Sequence, residues 1–105
     1  MNLKNNYKNI ITKTISKVAL ITLNRPGSLN ALSKDLIADL NDALDIIENN
    51  ENKSVIVITG SKKAFAAGAD IKEMKNKTFI DLVNNDFIKP WEQISYCSKP
   101  TIAAV

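Results

Sequence analysis

At 105 residues, with 45% hydrophobic and 24% charged residues, the chain has the size and balance of one folded globular domain rather than a disordered segment. Its net charge of +3 comes from thirteen lysines and one arginine against eleven acids. Dispersed and not interleaved with aromatics, that charge describes a solvated lysine-rich surface and argues against nucleic-acid binding. There is no histidine, and Cys97 is the single cysteine, so an internal disulfide, a thiol metal cluster, histidine zinc ligation and a His-dependent nucleophile are all excluded within these residues; no metal is expected.

The first seventeen residues hold lysines and no acids. They lack the arginines of a transit peptide and run straight into strand-like sequence, so they read as mature protein. A first strand is predicted at Ile10 to Thr14. Ser16-Lys17 then supplies a turn into a second strand, Val18 to Leu23, which is apolar and β-branched. Asn24-Arg25-Pro26-Gly27-Ser28 breaks regular structure, because proline fixes φ and glycine permits a tight turn. Ser33 is a good N-cap for a helix in which Leu36, Ile37, Leu40, Ala43, Leu44 and Ile47 share one apolar face. Asp35, Asp39, Asp42 and Asp45 fall largely on the opposite side, and the helix dissolves at Asn49-Asn50-Glu51-Asn52.

Ser54 to Thr59 reads as a buried strand closed by Gly60, joined to the second strand by a right-handed β-α-β crossover. A loop follows from Ser61 to Asp70, and a short helix is predicted near Asp70. From about Thr78 a longer helical pattern carries Phe79, Leu82, Val83, Phe87, Trp91 and Ile94 on one side, with Pro90 expected to kink or divide it. Lys99 to Val105 looks like the opening of another buried strand, and a domain ending partway along one suggests truncation in preference to the alternative, a short terminal edge strand. No apolar run approaches membrane-spanning length, so no membrane association is expected.

The loop Phe65-Ala66-Ala67-Gly68-Ala69-Asp70 is where chemistry concentrates. Before Asp70 it offers a ligand no acid, base or nucleophile, only backbone. Side chains no larger than methyl on Ala66 to Ala69 let a bulky ligand approach main-chain N–H groups closely. A free N–H at a helix start points outward and is favoured near negative charge. That combination suits an oxyanion hole, in which removing one donor typically costs on the order of 3 kcal/mol of transition-state stabilisation. A close-packed strand-to-helix turn would need the same small residues. The P-loop spacing and the G-x-G-x-x-G fingerprint are both absent.

Four separated stretches, Ile21-Thr22-Leu23-Asn24-Arg25-Pro26, Leu29-Asn30-Ala31-Leu32, Phe65 to Met74 and Lys99 to Val105, resemble the enoyl-CoA hydratase branch of the crotonase family in order and separation. The resemblance runs from about Tyr7 to Val105. It implies an α/β fold built as a spiral of β-β-α units, here only the first repeats of a single crotonase-like domain, and an acyl-CoA thioester as substrate with no cofactor. It further implies that the Ala69 amide is one of two N–H donors to the thioester oxygen. Ala67, Gly68, Ala69, Asp70, Ile71 and Lys72 would line the path to the CoA adenine, with Leu29 nearby. Many hydratases carry a lysine after the Asn-Arg-Pro turn, whereas this chain has Gly27-Ser28, which leaves phosphate contact there in doubt. Lys62, Lys63, Lys72, Lys75 and Lys77 are the candidates to compensate, each more simply read as solvated.

The implied reaction is syn addition of water across a 2-enoyl-CoA double bond in fatty acid β-oxidation, with two glutamates handling the protons. The second donor and both glutamates would lie beyond Val105, so these residues alone are expected to be inactive. Glu48, Glu51, Glu73 and Glu92 are the carboxylates left; Glu73 falls near the site but reads as surface or helix-start charge, and Asp70 as a helix N-terminal residue. Other crotonase relatives (isomerases, thioesterases, dehalogenases, decarboxylases) share the oxyanion hole and differ in catalytic side chains. Further alternatives are a non-catalytic RNA-associated homologue and an unrelated nucleotide-binding α/β domain. Resemblance also implies a homotrimer or hexamer, in the cytoplasm or in the mitochondrial matrix of a eukaryote.

Overall fold

The computed structural model describes residues 6–70, 72, 75 and 89–105. Strands β1 (Ile10–Ile15), β2 (Val18–Leu23), β3 (Val55–Thr59) and β4 (Thr101–Ala104) form one sheet in the order β1-β2-β3-β4. The first pair is antiparallel, joined by a tight turn in which Ser16 takes φ 53°. The β2–β3 and β3–β4 pairs are parallel. Helix α1 (Lys34–Glu48) connects β2 to β3, as a parallel pair requires.

Alternation decides which face of the sheet is buried. Ala19, Ile21 and Leu23 of β2 and Ile56 and Ile58 of β3 are buried, while their sequence neighbours are only half-buried. Against them lie Leu36, Ile37, Leu40, Ala43, Leu44 and Ile47, the six residues of the predicted apolar face of α1. Each fully buried Leu or Ile in this layer contributes roughly 1.5–3 kcal/mol through lost contact with water. Ser33 caps the helix, its Oγ accepting from Leu36 N–H at 3.1 Å. Three of the aspartates opposite the apolar face anchor other segments. Asp39 accepts from the backbone and side chain of Asn9, Asp42 from the Tyr7 hydroxyl at 2.6 Å, and Asp45 from Gln93 at 2.6 Å. Burial, then the bond to Asp42, pushes the Tyr7 hydroxyl well above its ordinary range.

Two expectations change. The helical pattern through Trp91 and Ile94 is a 3-10 helix, Lys89–Tyr96, with Pro90 in its first turn. Trp91 and Ile94 still pack against the core, since a spacing of three keeps them on one side of either helix type. The rest of that pattern, Thr78 to Phe87, lies outside the described residues, as does most of the short helix expected after Asp70. The second change concerns β4, which forms where expected but is exposed throughout. It is bonded on one edge to β3, and α1 packs over β1 and β2 instead. Ile11, Ile15 and Ile102 on the far face of the sheet are also half exposed.

Gly60 closes β3 for a steric reason. A Cβ there would lie 2.5 Å from Ala64 O, Phe65 Cα and Phe65 O, all of them backbone. Gly60→Ala is therefore expected to destabilise the fold by about 1–3 kcal/mol, whereas Gly27→Ala, with nothing within 4 Å of its Cβ, is expected to be close to neutral. Denaturant midpoints of the two variants check this.

Where α1 ends, Glu48 accepts from Cys97 Sγ at 2.7 Å, from Ser98 N at 2.9 Å and from Ser98 Oγ. The Cys97 bond first, then those from Ser98, lower the Glu48 carboxyl to about 2. Burial and then the same contact push the Cys97 thiol up from its ordinary value. Because the folded carboxyl titrates below its unfolded value of 4.5, this contact stabilises the fold above that pH and is lost as the pH falls toward 2. Thermal melting of Glu48→Gln is expected to be less sensitive to acidification over that window than the parent. Parallel melting curves would contradict it.

Candidate oxyanion site

Two loops meet at the C-terminal ends of β2 and β3. The first turns through a 3-10 segment at Pro26–Ser28 and then places Leu29 and Asn30 in left-handed conformation, φ 51° and 58°. Asparagine tolerates that region better than most residues. Here its side chain also joins the loops: Oδ1 accepts from Arg25 N at 2.7 Å, while Nδ2 donates to Ala64 O at 3.1 Å and to Phe65 O at 3.2 Å. Asn30 is fully buried.

The second loop runs alongside the first. Ala67 N–H donates to Leu29 O at 3.1 Å, Leu32 N–H to Gly68 O at 2.7 Å, and Asp70 N–H to Leu32 O at 3.2 Å. The result is a single parallel bridge between Leu32 and Ala69. In such a bridge Leu32 bonds the residues on either side of Ala69, so the N–H and C=O of Ala69 itself face away from Leu32. Planarity requires the same: with no cis peptide among the described residues, a Gly68 carbonyl held on Leu32 aims the Ala69 N–H in the opposite direction. Among the described residues that N–H has no hydrogen-bond acceptor. It is presented by a β-bridge.

Gly68 takes φ +103° although nothing lies within 4 Å of where its Cβ would be. Its conformation requires glycine, not lack of space. Ala67, Gly68 and Leu29 are exposed, Ala69 is half-buried and Asp70 is buried. The Asp70 carboxylate is held on both oxygens, with Oδ2 3.1 Å from Arg25 Nη1 and Oδ1 accepting from Lys72 N–H at 3.0 Å. Arg25 Nη1 also donates to Ala31 O at 2.7 Å. Leu29, Ala67, Gly68, Ala69 and Asp70 thus converge. Lys72 is exposed just beyond, as are Lys62, Lys63 and Lys75. Ile71, Glu73 and Lys77 lie outside the described residues. In the sequence, Arg25 and Asn30 stand out only as letters of the Asn-Arg-Pro and Leu-Asn-Ala-Leu motifs. A buried asparagine bonded across 34 and 35 residues leaves no periodic trace in a sequence.

The family model for enoyl-CoA hydratase/isomerase matches residues 13–105. The chain belongs to the enoyl-CoA hydratase/isomerase family. It is 49% identical over 102 residues to a probable mitochondrial enoyl-CoA hydratase of Dictyostelium discoideum, which covers 94% of this chain and 37% of that protein. It is 50% identical over 103 residues to the mitochondrial enoyl-CoA hydratase of Pongo abelii, covering 95% of this chain and 36% of the other. Among solved structures, an enoyl-CoA hydratase subunit from Geobacillus kaustophilus superposes with a TM-score of 0.88 at 39% identity, over 94% of this chain and 38% of that one. The chain therefore spans a little over a third of the length of these family members, and the mixed α/β sheet described above is the corresponding part of the crotonase fold.

Proposed function

We propose that the chain is the oxyanion-donating portion of an enoyl-CoA hydratase, with the Ala69 N–H as one of two donors to the thioester carbonyl oxygen of a 2-enoyl-CoA. The observation that carries this reading is the Ala69 N–H, aimed away from its bridge partner and flanked by exposed Ala67 and Gly68. As water adds across the double bond, hydroxyl to the β-carbon and proton to the α-carbon, negative charge gathers on the carbonyl oxygen. A fixed N–H stabilises that charge more than it stabilises the neutral thioester, which is what lowers a barrier. The second donor and two glutamates for proton transfer belong to residues outside these 105.

Leu29, Ala67, Gly68, Asp70, Ile71 and Lys72 would border the CoA, with acyl-CoA as substrate and no cofactor. The exposed lysines at positions 62, 63, 72 and 75 would be the candidates to meet phosphate in the absence of a lysine at Gly27-Ser28. β-Oxidation, a trimeric or hexameric assembly, and a cytoplasmic or mitochondrial-matrix location complete the reading. Among the described residues no helix is long and apolar enough to cross a membrane. The test is loss of enoyl absorbance from crotonyl-CoA with the full natural polypeptide. Hydration is expected there and none by the 105 residues alone. Turnover of a 3-enoyl-CoA to its 2-enoyl isomer without hydration would select the isomerase branch instead.

A further inference from the structure

We propose that Arg25 polarises the Ala69 donor through two intervening peptide groups. Arg25 Nη1 donates to Ala31 O at 2.7 Å. That carbonyl belongs to the same peptide group as the Leu32 N–H, which donates to Gly68 O at 2.7 Å. The Gly68 carbonyl in turn shares its peptide group with the Ala69 N–H. All these peptides are trans, so in each the C=O and N–H point in opposite directions. The hydrogen bonds therefore run head to tail, from a guanidinium at one end to the Ala69 N–H at the other.

A carbonyl that accepts a hydrogen bond makes its own N–H a stronger donor, and the strengthening is about 10–30% per link. Here the first link is charge-assisted. The Arg25 side chain is 22% exposed, so solvent screens its charge only in part. Asp70 Oδ2, 3.1 Å from the same Nη1, tempers that charge and holds the guanidinium on Ala31. Arg25 is thus a positioning residue that acts on substrate only through backbone. The inference rests on the reading of Ala69 as the thioester donor.

The experiment uses the full natural polypeptide and a bound 2-enoyl-CoA, reading the thioester carbonyl stretch by Raman difference spectroscopy together with kcat and KM. Arg25→Gln can still donate to Ala31 O but carries no charge, while Arg25→Lys keeps the charge. In Arg25→Gln the carbonyl downshift is expected to shrink and kcat to fall roughly 2- to 8-fold, the loss of 10–30% of a bond worth 10²–10³ in rate, with KM little changed. Arg25→Lys is expected to retain most of the downshift. A parental downshift in Arg25→Gln overturns the relay. So does an equal loss in both variants that tracks their melting temperatures, since that marks a purely structural arginine. Ala69→Pro separates the two levels: an unshifted band there refutes the donor assignment itself, whereas a change there without one in Arg25→Gln refutes only the relay.

Discussion

Ala69→Pro is expected to lower kcat by about 10²–10³-fold in the full natural polypeptide, while Ala69→Gly lowers it only slightly. Proline deletes the N–H and glycine keeps it. Because that N–H has no acceptor among the described residues, its removal breaks no described bond of the fold. The bridging bonds from Leu32 to Gly68 O and from Asp70 to Leu32 O involve neighbouring groups that proline leaves in place. Proline does restrict its own φ and the residue before it, and Gly68 at φ +103° is the position that would feel this. Melting temperature and affinity for free CoA therefore accompany the rate measurement. Equal turnover by the two variants, both folded, would remove Ala69 from the mechanism.

Asn30→Ala carries the largest expected stability loss, about 4 kcal/mol. Three hydrogen bonds disappear, from Arg25 N and to Ala64 O and Phe65 O, each contributing on the order of 1 kcal/mol net in a fully buried site. Alanine also tolerates φ 58° less well than asparagine, by about 1 kcal/mol more. Asn30→Asp separates these causes. It keeps the acceptor for Arg25 N and the tolerance of the left-handed region, but turns an oxygen toward two carbonyl oxygens. Urea midpoints should place both variants far below the parent. A loss under 1 kcal/mol for Asn30→Ala would mean the two loops are held together by other contacts.

Where local rules suffice, the sequence predicted the structure closely. The span Val18–Leu23 and the apolar face from Leu36 to Ile47 followed from periods of two and of 3.6, because each element had one side to bury. Ser33 was legible as a cap because its hydroxyl acts within one turn. Lys89–Tyr96 was not, since Trp91 and Ile94 at a spacing of three fit an α- or a 3-10 helix equally. The exposure of β4 was equally hidden: apolar content says that a strand prefers cover, not whether a helix reaches it.

The residues by themselves determined the strand–helix–strand order, the small-residue loop that only backbone chemistry could use, and the motif set that marks the family. Tertiary structure alone decided which way the Ala69 N–H points. Its direction comes from the pairing of Leu32 with a residue 37 positions later, and from Asn30 and Arg25 bridging the same two loops. Hydrogen-bond direction depends on the orientation of peptide planes brought together across the chain, and no spacing of residue types encodes it.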